Sequence, residues 1–470
     1  MRLSTSMRRP EAEAQVKEPK SGMSAAATME EISQDGSTSR ERLLKAAFDN
    51  GSDGSSGDEP EWLRSIRESG MAHFTASGFP TQRMEEWRFT NIALIREANL
   101  VPPGKPGRVV PADVEPLRMP DLGANALVFV DGFFAPEHSR IVGRGPRVTA
   151  LSAAIGTQPA VRGNLGKIVK PVSNPLAALN TAFWRDGAAI VFAKGEKFEE
   201  PVHLLFLSTG GTLVSPRVLV VAEPHSEGSV VESFYGVGEG EYWTNAVTEF
   251  VVGDGARVEH TKFQCEATAS FHTASIRAHI GRDAYFTSHS IALGARISRN
   301  DIATLLEGKN STGDLNGLYI CRGTQLCDHH TMVDHAVANC GSHEFYHGIL
   351  DERSRGVFNG KIFVRKDAQK TDAKQTNRGL LLSADALIDT KPQLEIFADD
   401  VKCTHGATIG RLDKSALYYL RARGIAPAEA GRMLTHAFAG EIIDKIAFRP
   451  LRDHIDKVIF DYLEGLPALR

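Results

Sequence analysis

Residues 246–281 read AVTEFVVGDGARVEHTKFQCEATASFHTASIRAHIG, and their texture decides the fold. Short runs rich in Val, Phe, Thr and Ile alternate with Gly and Asp. This is the pattern of short strands separated by tight turns. Gly253 and Gly281 each close a run and open a polar segment, and Gly308 does so again, at intervals of about 27 residues. A repeat of that length suits a solenoid, in which each turn buries its apolar surface on the next. The same texture continues in ALVFVDG, AAIVFAKG, VHLLFLSTGG, RVLVVAEP and GKIFVRK. No helical periodicity of useful length is expected between about residue 126 and residue 412. Two architectures fit. The dipeptides Asn316-Gly317 and Asn359-Gly360 are hairpin signals and suit a sandwich. The sheer length of the strand-rich run suits a parallel β-helix, because sandwiches usually close sooner.

Outside this core the pattern is helical. SRERLLKAAF, from Ser39 to Phe48, predicts a short amphipathic helix with Leu43, Leu44, Ala47 and Phe48 on one side. A Gly/Ser/Asp linker follows, and Pro60 opens a second helix carrying Trp62, Leu63 and Ile66. MEEWRFTNIALI, from Met84 to Ile95, predicts a third apolar cluster, so the first 100 residues read as helical and loosely tethered. After Gly410, LDKSALYYLRARG ends at Gly424, and Pro427 opens a helix whose Met433, Leu434, Phe438, Ile442 and Ile446 follow a 3.6 period. A last helix spans about Leu451 to Leu463. The expected organisation is a disordered tail over residues 1–38 and a helical N-terminal domain over 39–110. A β core over 120–410 and a helical C-terminal domain over 411–470 complete it.

Bulk properties exclude several classes. Hydrophobic residues make up 42% of the 470 and charged residues 24%, which is ordinary for a soluble protein. A net charge of −4 gives no global basic field for nucleic acid or an anionic membrane. No apolar run approaches a membrane span. The first 38 residues lack an apolar signal region, and Met23 or Met29 would serve as an alternative start. Five cysteines, at 265, 321, 327, 340 and 403, form no C-x-x-C pair and point to a reducing compartment, the cytoplasm.

Three constellations carry possible chemistry. His343-Glu344-Phe345-Tyr346-His347 matches H-E-x-x-H, which binds zinc only on a helix. Gly341 and Gly348 bracket it among strands, where the two His stand about 13 Å apart. Cys321, Cys327, His329, His330, His335 and Cys340 crowd together, but their spacing fits no standard zinc pattern. The third lies in the segment 356–410. If QLEIFA through VKCTH is one extended strand, Leu394, Ile396 and Ala398 share one face. Glu395, Asp399, Cys403 and His405 then share the other. Cys403 and His405 would project side by side, with Cα atoms about 6.6 Å apart. Thiolate and imidazole are both iron and cluster ligands. Two ligands do not close a site, so the others must come from elsewhere or from another chain. The bland alternative is a buried Cys and a satisfied His.

At these residues the chain resembles a known family. DTKPQLEIFADDVKCTHGATIG, flanked by RGVFNGKIFV and AQKTDAKQTNRGLLLS, is similar to the signature of the SufB/SufD family, scaffold subunits of the SUF iron–sulfur assembly machinery. YYLRARGI and EEWRFTN also look like blocks of that family, and Lys402-Cys403-Thr404-His405 resembles its D-type members. The family commonly has Ser where Thr404 stands, a change that keeps the hydroxyl. The resemblance implies a mainly β chain, with a right-handed parallel β-helix core between helical N-terminal and C-terminal domains. It implies a non-enzymatic subunit that pairs edge to edge with a SufB-like partner. A SufC-like ABC ATPase would dock on the C-terminal helices, and a cysteine desulfurase system would supply sulfur indirectly. An iron–sulfur cluster, transient and shared with the SufB partner, would take His405 as ligand, with Cys403 as a less favoured participant. Whether a flavin binds is left open by the resemblance. The chain has no G-x-x-x-x-G-K-[ST] loop, so nucleotide chemistry would be the partner's. The competing reading is a carbohydrate-active enzyme on a β-helix. Such an enzyme needs paired carboxylates and an aromatic cleft. Aromatic content is 7%, and the only carboxylate pair of note is Asp399-Asp400.

Overall fold

The computed structural model describes residues 39–52, 59–119, 122, 125–142, 146–238 and 240–465. The tail expected over residues 1–38 and part of the Gly/Ser/Asp linker lie outside them. The core is a parallel β-solenoid made of two ten-stranded sheets that the chain visits alternately. The first sheet ends in Thr312–Cys321, Gly341–Leu350, Asp372–Leu381 and Lys402–Gly410. The second ends in Leu326–His335, Arg355–Val364 and Leu387–Ile396. Register partners in the first sheet step by 28, 27, 29, 31 and 30 residues, from Arg257 through Tyr285, Thr312, Gly341 and Asp372 to Lys402. The turn glycines explain the repeat. Gly253 donates to Ala222 O at 2.8 Å, and Gly281 to Val252 O at 2.8 Å. A Cβ on Gly308 would lie 1.9 Å from Arg282 N, so this turn stacks on the one before too closely for a side chain.

The sandwich is excluded, and with it the hairpin reading of the Asn-Gly pairs. Asn316-Gly317 lies inside the strand Thr312–Cys321, and Asn359-Gly360 inside Arg355–Val364. Both glycines make room for interior side chains, Gly317 beside its register partner on the neighbouring strand and Gly360 across the interior. A Cβ on Gly317 would meet the Tyr346 ring at 2.1 Å, and one on Gly360 would meet Gln375 Nε2 at 2.1 Å. Helices also interrupt the core before residue 412. Leu151–Ala154, Pro159–Asn164 and Pro175–Phe183 precede the regular ladder. The segment Pro175–Phe183 escapes a periodicity search because every residue from Leu176 to Phe183 is buried.

The N-terminal segment contains the expected helices Ser39–Ala47 and Glu61–Ser77. The 84–95 cluster differs from expectation, being a single turn at Glu85–Trp87 and a short helix Ala93–Glu97. Nor is the segment loosely tethered. Leu44, Met71, Phe74, Trp87, Ile92 and Ile95 share a core with Phe183, Trp243, Phe271 and Ile297. The Arg299 guanidinium lies 3.7 Å over the Trp87 ring and donates to Glu86 O at 2.8 Å. Beneath it, burial pushes the Asp328 carboxyl up, but His330 and Arg299 hold it far below the usual range. Two of the three C-terminal helices, Pro427–Ile443 and Arg449–Glu464, cover the outer face of the first sheet. There Ile442, Ile443, Ile446 and Leu451 meet Leu318, Ile320, Ile349 and Leu380. The helix between them and the solenoid, Lys414–Ala422, buries no residue.

The interior glycines give a direct test of this packing. Gly317→Ala should destabilise the chain by about 1–3 kcal/mol, the usual cost of overpacking. Gly406→Ala, which meets nothing within 4 Å, should leave the unfolding midpoint in urea unchanged.

Candidate functional site

The last strand of the first sheet, Lys402–Gly410, pairs with Asp372–Leu381 on one side and with no described strand on the other. The last strand of the second sheet, Leu387–Ile396, is likewise a terminal edge. Pro392 is tolerated there because an edge strand needs no donor on its outer side. The solenoid therefore ends open, with Leu387, Ile396, Phe397 and Ile409 exposed around the rim.

Cys403 and His405 lie on this terminal strand, in register with Ala373 and Gln375. Ala373 and Gln375 are interior residues, so by parity both donors face the solenoid axis at its open mouth. This corrects the single-strand expectation. The chain turns between the sheets at residues 397–401, and Cys403 packs with Leu394 and Val401 on Ile362, Val364, Ala373 and Ala398. Cys403 thus joins the side of Leu394 rather than opposing it. Cys403 is half-buried and His405 exposed. Burial raises the Cys403 thiol, partly offset by a hydrogen bond from the Ala373 backbone.

The other constellations come apart. His343 and His347 project from the outer face of Gly341–Leu350, whereas Glu344 points inward. His343 pairs with Asp314 at 2.9 Å. His347 donates from Nδ1 to Phe438 O at 2.8 Å and stacks on the Phe438 ring at 4.1 Å, holding a C-terminal helix to the sheet. The Cys/His run is split: Cys321 stays beside Cys327, and the rest separates. Cys327 and His329 touch at 3.8 Å inside, His330 faces Glu86 outside, His335 meets Ser342, and Cys340 meets Ser311. Among the described residues, no group of three or more His, Cys, Asp or Glu side chains is arranged to hold a metal ion. Asp399 and Asp400 lie in the connecting turn, with Asp400 paired to Lys370.

Behind the donors lies a polar interior that the sequence reading missed. Glu344, Gln375 and His405 are consecutive register partners in the first sheet. Gln375 Nε2 donates to Glu344 Oε2 at 2.8 Å, and Thr331 Oγ1 donates to the same oxygen at 2.8 Å. Asn377 reaches Thr390 at 3.1 Å. Glu344 and Gln375 are each 2% exposed. Burial pushes the Glu344 carboxyl up to about 7. Polar pairs continue deeper. Glu232 meets His260 at 3.3 Å, Glu266 meets His272 at 2.8 Å, and burial brings the Lys262 amine down to about 8. The available signal was the repeat itself: one rung before His405 falls on Gln375, and one rung before that on Glu344.

Together these features define a parallel β-solenoid that ends in an unpaired strand carrying Cys403 and His405. The family model for the SUF system FeS cluster assembly SufBD core domain matches residues 205–438. The model for the SufBD protein N-terminal region matches residues 39–204. An iron–sulfur cluster assembly SufBD family protein of Synechocystis sp. is 32% identical over 86% of this chain and 92% of its own length. The iron–sulfur cluster assembly protein SufD of Escherichia coli is 32% identical over 83% of this chain and 90% of its own. SufD of Bacillus subtilis is 30% identical over 62% and 67%. The chain belongs to the SufBD family of iron–sulfur cluster assembly proteins. Among the described residues, no helix is long and apolar enough to cross a membrane.

Glu344 makes stability depend on pH. Its carboxyl moves from 4.5 to about 7 on folding, so the folded chain holds an extra proton between those values. Stability then falls as pH rises through that window, by on the order of 1–3 kcal/mol. Glu344→Gln keeps an oxygen that accepts from Thr331 and Gln375. It should match the parent near pH 4 and exceed it at pH 8 in urea unfolding; a variant less stable at pH 8 would contradict the account.

Proposed function

We propose that the chain is a scaffold subunit, without catalytic activity of its own, on which nascent iron–sulfur clusters form at an interface with a SufB-type partner. The observation that carries this reading is the placement of Cys403 and His405 on an unpaired terminal strand at the open mouth of the solenoid. A thiolate and an imidazole are cluster ligands, but two cannot complete a site. The unpaired backbone edge and the exposed rim of Leu387, Ile396, Phe397 and Ile409 suit strand addition by another solenoid. That partner would bring the missing ligands. His405 is favoured as this chain's ligand because it is exposed and uncommitted, whereas the half-buried Cys403 must first lose a proton that burial holds on it. The cluster is cargo, held transiently before transfer.

A SufC-type ABC ATPase would dock on the C-terminal helices. Lys414–Ala422 presents Tyr418 and Tyr419 to solvent, 75% and 55% exposed, while the other two helices are fixed to the sheet. Aromatic residues on an anchored helix are suited to an interface. ATP turnover in that partner would rearrange the solenoid interface, and a cysteine desulfurase system would deliver sulfur as persulfide. The reducing conditions this chemistry needs place the assembly in the cytoplasm.

His405→Ala should leave the unfolding midpoint unchanged and lower the iron that co-purifies with the assembled complex. Unchanged iron would remove His405 from the site. Tyr418→Asp combined with Tyr419→Asp should reduce ATPase recovery in pull-down by at least about tenfold, as expected for loss of interface anchors. Because both residues are exposed, the variant should retain its folded circular-dichroism spectrum.

A further inference from the structure

Gln375 stands one rung behind His405, and three contacts fix how its amide lies. Nε2 donates to Glu344 Oε2 at 2.8 Å. That oxygen is itself held by Thr331 Oγ1 at 2.8 Å. Gly360, from the opposite sheet, leaves room for the amide where a Cβ would come within 2.1 Å of Nε2. With Glu344 ionised, an oxygen that accepts from the amide must face its NH2 end, which sets the two amide atoms. The carbonyl Oε1 is thereby turned away from Glu344. It is buried and has no hydrogen-bond partner among the described residues. A buried carbonyl without a donor is costly, and native interiors rarely leave one so.

The next residue along the same interior row is His405. In-register neighbours of a parallel ladder stand about 4.8 Å apart and point the same way. An imidazole turned inward from the terminal strand therefore brings a ring N–H to Oε1. A ligating His commonly donates its second ring N–H to a carbonyl or carboxylate, which fixes its tautomer and raises its basicity. On the reading of His405 as a cluster ligand, we propose that Gln375 is its positioning residue: Oε1 accepts one ring N–H, and the other ring nitrogen is left to face the iron. Glu344 and Thr331 act one step further back, as the clamp that keeps the amide in this orientation. The rigid interior of the solenoid thus sets which nitrogen an otherwise exposed side chain presents.

The test uses the co-purified complex, reconstituted with ferrous iron and sulfide, then reduced and examined by pulsed EPR for nitrogen coupling to the cluster. Gln375→Met keeps the length of the side chain and removes the acceptor. It should alter the histidine-nitrogen coupling and speed iron loss on gel filtration by at least about tenfold. Gln375→Glu restores an acceptor oxygen. It should recover the coupling and shift the reduction potential downwards, because a more basic imidazole favours the oxidised cluster. A purely structural role for Gln375 would change the unfolding midpoint without moving coupling or potential. Wild-type coupling in a folded Gln375→Met complex overturns the inference. Should that variant fail to fold, a wild-type potential in Gln375→Glu overturns it equally. His405→Ala separates the two levels: nitrogen coupling that survives it refutes the ligand reading itself, whereas coupling lost in His405→Ala but untouched in Gln375→Met refutes only the role of Gln375.

Discussion

A parallel ladder satisfies the backbone of one strand only by laying another strand beside it, and everything else in this molecule follows from that need. Each turn is both a product and a template. The turn glycines keep the spacing, while Gly317 makes room for the Tyr346 ring on the neighbouring strand and Gly360 for the Gln375 amide from the facing sheet. The first end of the stack is closed by short antiparallel pieces, Phe133–Phe134 against Ala126–Val130 and Arg147–Ala150 against Gly187–Phe192. The other end is left with open backbone. A protein that avoids aggregation usually hides such an edge, so an open edge carrying Cys403 and His405 is what the proposed pairing with a second solenoid would cover.

The interior is unusual in its polarity. A solenoid core could be filled by stacked aliphatic residues, and much of this one is, in the ladder of Phe129, Phe206 and Phe234 with ring centroids 5.0 and 4.9 Å apart. Towards the open end, however, Thr331–Glu344 and Asn377–Thr390 are hydrogen-bonded across the axis, and Gln375 bonds Glu344 along one sheet. Burying such groups costs stability unless each is paired. Their cost is offset only where geometry is fixed, and fixed geometry is what a ligand set needs from its surroundings.

Much of this was legible in the chain itself. Recurrent Gly at 253, 281 and 308 carried the repeat, because at these three turns the neighbouring backbone comes too close for a Cβ. Strand content was readable for the same reason that H-E-x-x-H could be set aside: Gly341 and Gly348 deny His343 and His347 a helix. What escaped was whatever depended on the third dimension. Pro175–Phe183 is apolar on all sides and shows no period. Asn316-Gly317 looks like a turn until Tyr346 is seen to occupy the space beside the glycine. The turn at residues 397–401 reverses the expected facing of Cys403 because strand parity does not survive a change of sheet. Gln375 reads as one polar residue in a polar stretch and Glu344 as the centre of H-E-x-x-H, and only the register sets them behind His405.

One contact ties the molecule's history to its shape. Glu85, in the N-terminal segment, is bonded to Lys391 on the penultimate strand, 306 residues later in the chain. Glu86 and Trp87 beside it similarly rest on Arg299 and His330. At ordinary rates of synthesis, roughly 5–20 residues per second, Glu85 is made about 15–60 seconds before its partner exists. Through that interval the growing stack can lengthen turn by turn, but the clasp across its outer face cannot close. Closure therefore records that the last turns are in place, and a chain cut short before Lys391 would carry its N-terminal segment only partly fastened.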